Sequence, residues 1–210
     1  MPKRKTFPKI DVIVYGSSHV KPNHHLPEHL EELFKNHNRF KKPVEYGEGG
    51  AWIDPEFVNI VKEEITQTAD NPTAIVLIIG SNNLRYGEQS PLEVIPLFED
   101  LVHHASFFPK CHVVLTSILP SPSTDEFSAG PFRTLSNFLR DLSNKKNYEN
   151  RVSFCNVAHT LLADENNYDP KDYLHLSYEG AGTFARCLKN HLEQRQQICF
   201  SSNPKKIKKK

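Results

Sequence analysis

Apolar residues recur along this chain with two different spacings. Five short segments, Ile10–Tyr15, Val44–Tyr46, Ala74–Ile79, His112–Leu119 and Val152–Val157, are rich in β-branched and other apolar residues and read as strands. Ala74–Ile79 is apolar throughout and stops at Gly80, the pattern of a strand buried on both faces. Between these segments apolar positions return every three or four residues. Leu26, Leu30, Leu33 and Phe34 share one helical face. Phe57, Val61 and Ile65 share another, behind an Asp54-Pro55 start that puts proline in the first turn. Leu92–Phe107, Phe132–Leu142 and Tyr178–Leu192 carry the same period. Strand–helix alternation of this kind predicts an α/β protein, a five-stranded parallel sheet with helices on both faces in a three-layer α/β/α sandwich. No internal repeat and no interior boundary interrupts it, so residues 10–195 read as one domain, residues 1–9 as a basic N-terminal tail and residues 196–210 as a basic disordered tail. Residues 120–131 read as a loop between the fourth strand and the next helix.

The polar residues that interrupt this pattern collect where such a sheet places its ligands, beyond the carboxyl ends of the strands. Strand one runs into Gly16-Ser17-Ser18-His19, strand two into Gly47-Glu48-Gly49-Gly50-Ala51, and strand three into Gly80-Ser81-Asn82-Asn83. Asp172-Tyr173-Leu174-His175-Leu176-Ser177 follows strand five. Each cluster alone is ordinary turn chemistry. Together they supply what acyl transfer needs. A serine hydroxyl requires a base, and the base requires an orienting partner. Asp172 and His175, three residues apart, can point toward one site from a single turn. A glycine N–H and an asparagine amide are suitable donors for an oxyanion.

In their order and wording these clusters resemble the four motifs of the SGNH (GDSL-like) hydrolases: a Gly-Asp-Ser turn, a Gly, a Gly-x-Asn-Asp turn and a late Asp-x-x-His. Here they stand as Gly16-Ser17-Ser18, Gly50, Gly80-Ser81-Asn82-Asn83 and Asp172-Tyr173-Leu174-His175, and the likeness extends to His175-Leu176-Ser177-x-x-Gly180. The resemblance covers residues 10–192 and implies a flavodoxin-like fold. It implies Ser18 as nucleophile, His175 as general base and then acid, and Asp172 as orienter. The Ser18 N–H, the Gly50 N–H and the Asn82 amide would form the oxyanion hole, with Gly49 as the alternative to Gly50. No metal and no cofactor is implied. Two positions depart from the pattern: Ser17 replaces the Asp before the nucleophile, and Asn83 replaces the Asp after the oxyanion Asn. The wording of Gly16–Val20 and Gly80–Arg85 is also similar to esterase-like domains of some animal retrotransposons and their host relatives.

Composition narrows the setting. Hydrophobic residues make up 38% and charged residues 24%, as in a soluble globular domain. The longest apolar run is too short for a membrane span, and the basic N-terminus lacks the apolar core of a secretory signal. Cys111, Cys155, Cys187 and Cys199 form no CxxC pair, which favours reduced thiols in a cytoplasmic or nuclear protein over two bridges in a secreted one. The net charge of +1 is segregated. Residues 1–10 and 201–210 hold nine basic side chains and no acid, while the chain between them holds 17 basic and 25 acidic ones. Any weak nucleic-acid contact is therefore expected at the tails, which read equally as import signals or as solvated, functionless segments. His24, His25, His29, His103 and His104 lack a companion ligand set and read as solvated helix-end histidines rather than a zinc site. Trp52 reads either as the wall of an acyl pocket or as a packing aromatic, and Arg85 and Tyr86 as solvent-facing loop residues.

Two functions of different class follow. One is a serine esterase acting on a small-molecule, lipid or sugar ester. The other is a catalytically weak or inactive module of the same fold that binds RNA or another partner. An intact Ser18/Asp172/His175 set and an acid-rich body favour the first.

Overall fold

The computed structural model of the protein describes residues 8–22, 24–86, 89–119, 130–162 and 164–199. Its strands are β1 (Asp11–Gly16), β2 (Val44–Gly47), β3 (Thr73–Ile78), β4 (Cys111–Thr116) and β5 (Val152–Cys155). Its helices are α1 (His25–Phe34), α2 (Pro55–Gln67), α3 (Ser81–Arg85), α4 (Pro91–Ser106), α5 (Pro131–Ser143), α6 (Val157–Leu162) and α7 (Tyr178–Cys199). All strand pairs are parallel and lie in the order β2-β1-β3-β4-β5. This is the doubly wound, flavodoxin-like arrangement, and the direction of winding reverses between β1 and β3.

The sandwich follows from strand periodicity. Alternate residues of a strand point to opposite faces, and here both faces are buried. Val12, Val14, Ala74, Val76 and Val114 pack with Leu26, Leu30 and Phe34 of α1 and with Phe184, Leu188 and Leu192 of α7. Their neighbours Ile13, Tyr15, Ile75, Leu77, Val113 and Leu115 pack on the other side with Val61 and Ile65 of α2, Phe98 and Leu101 of α4, and Leu135 and Leu139 of α5. The edge strand β2 is only partly covered, with Val44 half exposed. Helix starts are fixed locally. The Asp54 carboxylate accepts the Phe57 N–H at 2.8 Å, and Glu93 accepts the Ser90 N–H at 2.8 Å at the head of α4.

Several boundaries differ from the sequence reading. The fourth strand ends at Thr116 rather than Leu119: the Ser117 N–H still donates to Cys155 O at 3.1 Å, but the next backbone N–H turns to a side-chain partner. Ser117 Oγ accepts the Ala158 N–H and Ser136 Oγ accepts the Ile118 N–H. The fifth ends at Cys155, and α6 starts at Val157. Residues 196–199, read as the start of a tail, continue α7, since Glu193-Gln194-Arg195-Gln196 keeps strong helix formers in line beyond the last apolar position. Residues 1–7 and 200–210 of the basic tails, and residues 120–129 of the expected loop, lie outside the described residues. Among the described residues no helix is long and apolar enough to cross a membrane.

Candidate active site

Strand register brings three of the four polar clusters to one edge. Gly16 pairs with both Gly47 and Ile78, so β1, β2 and β3 end at the same level and release their loops side by side. After β1 the chain folds into a 3₁₀ turn over Ser18–Val20, where the Val20 N–H donates to Ser17 O at 3.0 Å and the Lys21 N–H to Ser18 O at 3.2 Å. Ser18 begins this turn, so its own N–H has no acceptor within it. Position 16 has no room for a side chain, because a Cβ there would lie 2.4 Å from Val20 Cγ2 and 2.8 Å from the Ile78 carbonyl.

The fourth cluster is a loop closed on itself ahead of α7. Tyr168 and Leu176 pair across it. The Asp169 N–H donates to His175 O at 2.8 Å, and the Tyr173 N–H to Asp169 O at 2.8 Å. Tyr173 takes a left-handed conformation with φ +53° to make the turn. Ser177 ties the loop to the helix: its hydroxyl accepts the Gly180 N–H at 3.0 Å and donates to Asn166 O at 2.6 Å. At Gly180 a Cβ would overlap the Asn167 carbonyl, 1.8 Å away. The Ser177-x-x-Gly180 spacing therefore seats α7 and presents the loop.

That loop reaches Ser18 across the sheet edge. His175 Nε2 lies 3.0 Å from Ser18 Oγ, and His175 Nδ1 lies 2.7 Å from Asp172 Oδ2. Asp172 Oδ1 accepts the N–H groups of Leu174 at 2.8 Å and His175 at 3.0 Å. Partial burial disfavours the Asp172 anion, but the His175 ring and these two amides outweigh it and hold the carboxyl at about 2. An ionised Asp172 accepts a hydrogen bond from the Nδ1–H of His175, leaving the Nε2 lone pair to accept one from the Ser18 hydroxyl. The arrangement can withdraw a proton from a serine and return it to a leaving group.

Gly50 and Asn82 flank the same serine loop. The Ala51 N–H donates to Glu48 O at 3.1 Å, closing a turn with Gly49 and Gly50 at its tip. Gly50 has φ +77°, which suits glycine at the third position of a type II turn. Asn82 lies in the first turn of α3, behind Gly80 at φ +108°. It is buried, and its Nδ2 donates one hydrogen to Ala51 O at 3.0 Å. The amide has a second hydrogen to offer.

No protein-family model and no curated protein matches this chain. Solved structures do. A lipolytic protein of the G-D-S-L family from Veillonella parvula superposes with a TM-score of 0.70 at 17% identity, covering 88% of this chain and 99% of that one. A family 3 carbohydrate esterase from Clostridium thermocellum gives 0.64 at 15% identity over 91% and 100% of the two chains. A GDSL-like lipase from Bacteroides thetaiotaomicron gives 0.63 at 19% identity over 89% and 88%. The chain has the SGNH/GDSL-like hydrolase fold. None of these three structures bears on the retrotransposon-associated branch.

Within the SGNH fold the structure places both departures from the family motifs, and explains the second. Asn83 is fully buried and bonds Ile53 twice, accepting its N–H at 3.0 Å and donating to its carbonyl at 2.8 Å, with a further bond to Gln89 Oε1 at 2.6 Å. An aspartate could make only the first of these bonds. Ser17 is buried beside a cavity of about 10 Å³, roughly the space of one water, lined also by His19, Ser81, Thr116 and Ser117.

Sequence reasoning missed His19. Its ring is buried next to His175, with centroids 5.5 Å apart, and Nε2 makes no hydrogen bond among the described residues. Burial, reinforced by the neighbouring His175, lowers its pKa to about 3 and keeps it neutral. The only signal in the sequence was its place directly after the serine. His24 corrects another expectation: it is not a freely solvated histidine but stacks on His175 at 5.0 Å. His29 Nε2 bonds Tyr178 O at 3.0 Å. Among the described residues no group of three or more His, Cys, Asp or Glu is placed to hold a metal ion. Arg85 is half-buried at the end of α3 with its guanidinium 5.3 Å from the Phe132 ring, not in a solvent-facing loop, whereas Tyr86 and Trp52 are exposed.

Proposed function

We propose that the protein is a serine esterase that hydrolyses a carboxylic ester through an acyl-Ser18 intermediate. The observation that carries this reading is the unbroken chain of contacts from Ser18 Oγ through His175 to Asp172, at 3.0 and 2.7 Å. Ser18 Oγ attacks the ester carbonyl as His175 Nε2 takes its proton. The tetrahedral oxyanion collapses, the C–O bond to the alcohol breaks, and His175 protonates the departing alkoxide. Water then repeats the sequence on the acyl-serine, releasing the acid. Asp172, ionised, stabilises the imidazolium in both halves. The free hydrogen of the Asn82 amide and the N–H groups of Ser18 and Gly50 are the donors available to the oxyanion. The lipolytic and carbohydrate-esterase names of the fold neighbours support ester chemistry.

A fluorophosphonate probe tests the assignment. Mass spectrometry of the labelled protein should find the adduct on the peptide containing Ser18, and Ser18→Ala should abolish both labelling and turnover. An adduct elsewhere, or active protein without one, overturns it.

The basic tails belong to a separate part of the proposal: they direct the protein to the nucleus or hold it weakly near nucleic acid, outside the catalytic domain. Their charge segregation is the supporting observation. Deleting residues 1–5 and 201–210 should leave ester hydrolysis unchanged and reduce nuclear accumulation or salt-sensitive nucleic-acid binding. If neither changes, the tails are inert.

A further inference from the structure

The serine turn is clamped to β2 in a way that the proposed hydrolysis does not by itself require. Three glycines make room for Val20 and Lys21. A Cβ at Gly16 would meet Val20 Cγ2 at 2.4 Å. One at Gly47 would meet Val20 O at 2.5 Å and the Lys21 backbone nitrogen at 2.6 Å. One at Gly49 would meet Lys21 Nζ at 2.4 Å and Cε at 2.8 Å. The Lys21 backbone is therefore pinned at the end of the sheet by the bond of its N–H to Ser18 O, 3.2 Å, and by the close approach of Gly47. Its side chain lies along the Glu48–Ala51 turn and ends against Gly49, one residue before Gly50.

Among the described residues no carboxylate pairs with the ammonium placed there. Lys41, Lys42, Lys62, Lys145 and Lys189 each pair with a carboxylate. Lys21 forms no ion pair among the described residues, although Glu48 stands on the same turn. It is also only partly exposed, so water screens it less than a surface lysine. Its field reaches His24, which stacks on His175, while Arg85 acts on His19 from another element. Asp172, the acid of the proposed triad, is already committed to His175. A chain whose body is acid-rich thus places a lysine ammonium against the turn that carries Gly50.

We propose that Lys21 forms an anion subsite beside the Gly50 turn, and that the preferred substrates are esters carrying a carboxylate or phosphate close to the scissile bond. The inference rests on the esterase reading and deepens it. It also gives the adjacent glycines separate duties: Gly50 adopts the left-handed turn conformation, and Gly49 leaves room for the ammonium.

The test compares kcat/KM for 4-nitrophenyl acetate, which is neutral, with 4-nitrophenyl hydrogen succinate and 4-acetoxyphenyl phosphate. These carry the anion on the acyl and alcohol sides respectively, as a carboxylate and a phosphate. The ratio of anionic to neutral kcat/KM, taken in the parent protein and in Lys21→Met, cancels the intrinsic reactivity of each ester. At least one anionic ester should lose about tenfold of this ratio in Lys21→Met, the scale of one charge-assisted contact. Lys21→Arg should keep most of it, and added salt should lower it in the parent. An unchanged ratio for both anionic esters in a folded Lys21→Met protein overturns the subsite and leaves the esterase reading standing.

Binding to Ser18→Ala separates the other case. Chemical-shift titration with 4-acetoxybenzoate and its methyl ester should show tighter binding of the anion, and adding Lys21→Met should remove the difference. If no ester is hydrolysed by the parent protein but this preference holds, the esterase reading fails and the subsite survives. If the preference is absent, the subsite fails.

Discussion

The side chain of Asn83 closes a two-bond pairing with the backbone of Ile53, accepting its N–H at 3.0 Å and donating to its carbonyl at 2.8 Å. The pairing locks the segment after Gly50 to the helix that carries Asn82. We expect Asn83→Asp, which supplies the residue typical of the family motif, to be destabilising here. The carboxylate cannot donate to Ile53 O, and Gln89, whose Oε1 now accepts from Asn83 at 2.6 Å, must turn its amide to donate instead. A loss of about 1–3 kcal/mol follows from one buried bond left unmade, read as a lower thermal midpoint. A midpoint equal to the parent's would mean that the loop is held elsewhere.

Asn82→Ala should lower kcat by about 10²–10³ with a much smaller effect on KM, because an oxyanion donor acts chiefly in the transition state. Steady-state kinetics on a neutral ester measure both. A raised KM at unchanged kcat would instead make Asn82 a ground-state binding residue or a support for Ala51, whose carbonyl it already holds.

Asp172→Asn should reduce kcat by up to about 10⁴, since the amide can neither secure the required tautomer nor support the imidazolium. The carboxyl of Asp172 is held at about 2, so it stays ionised across the working range. The acid limb of the rate profile should therefore report protonation of the base and not of Asp172. A variant as active as the parent would assign the orienting role to another residue.

Stability should fall on mild acidification. Burial lowers His19 and His112 to about 3 and His191 to about 4. His112 and His191 share the Ser153 hydroxyl at 2.8 and 2.7 Å. The unfolded chain binds protons on these rings from about pH 6.5 downward, whereas the folded chain resists until about 4 or 3. Their effect is thus absent above about 6.5 and grows as a destabilisation between there and pH 4. The thermal midpoint should drop by roughly 5 °C or more over that range, and His112→Asn should flatten the slope. Equal slopes would remove His112 as a contributor.

How far the sequence could be read depended on how local each feature is. Strand and helix periods exposed the five strands and, among the described residues, five of the seven α-helices, because alternation and 3.6-residue spacing are written in consecutive residues. The two missed helices, α3 and α6, span five and six residues, too few for a period to show. The end of β4 was missed because the Ile118 N–H leaves the ladder for the Ser136 hydroxyl supplied by α5, and the end of β5 because α6 begins at Val157.

The residues able to carry the chemistry were legible along the chain: Ser18, Gly50, Asn82, Asp172 and His175 are all named by motif and by their place after strands. Asp172 and His175 are near neighbours, so their alliance was legible in spacing. The tertiary structure decided the rest. Ser18 meets His175 across 157 positions of chain only because parallel strands end in register and α7 returns its loop to that edge. The burial of His19, the stacking of His24, the pairing of Asn83 with Ile53 and the seat of Lys21 on Gly49 likewise depend on packing between segments remote in sequence. A pattern along one chain records which faces will be buried, but not which distant atoms will fill the space beside them.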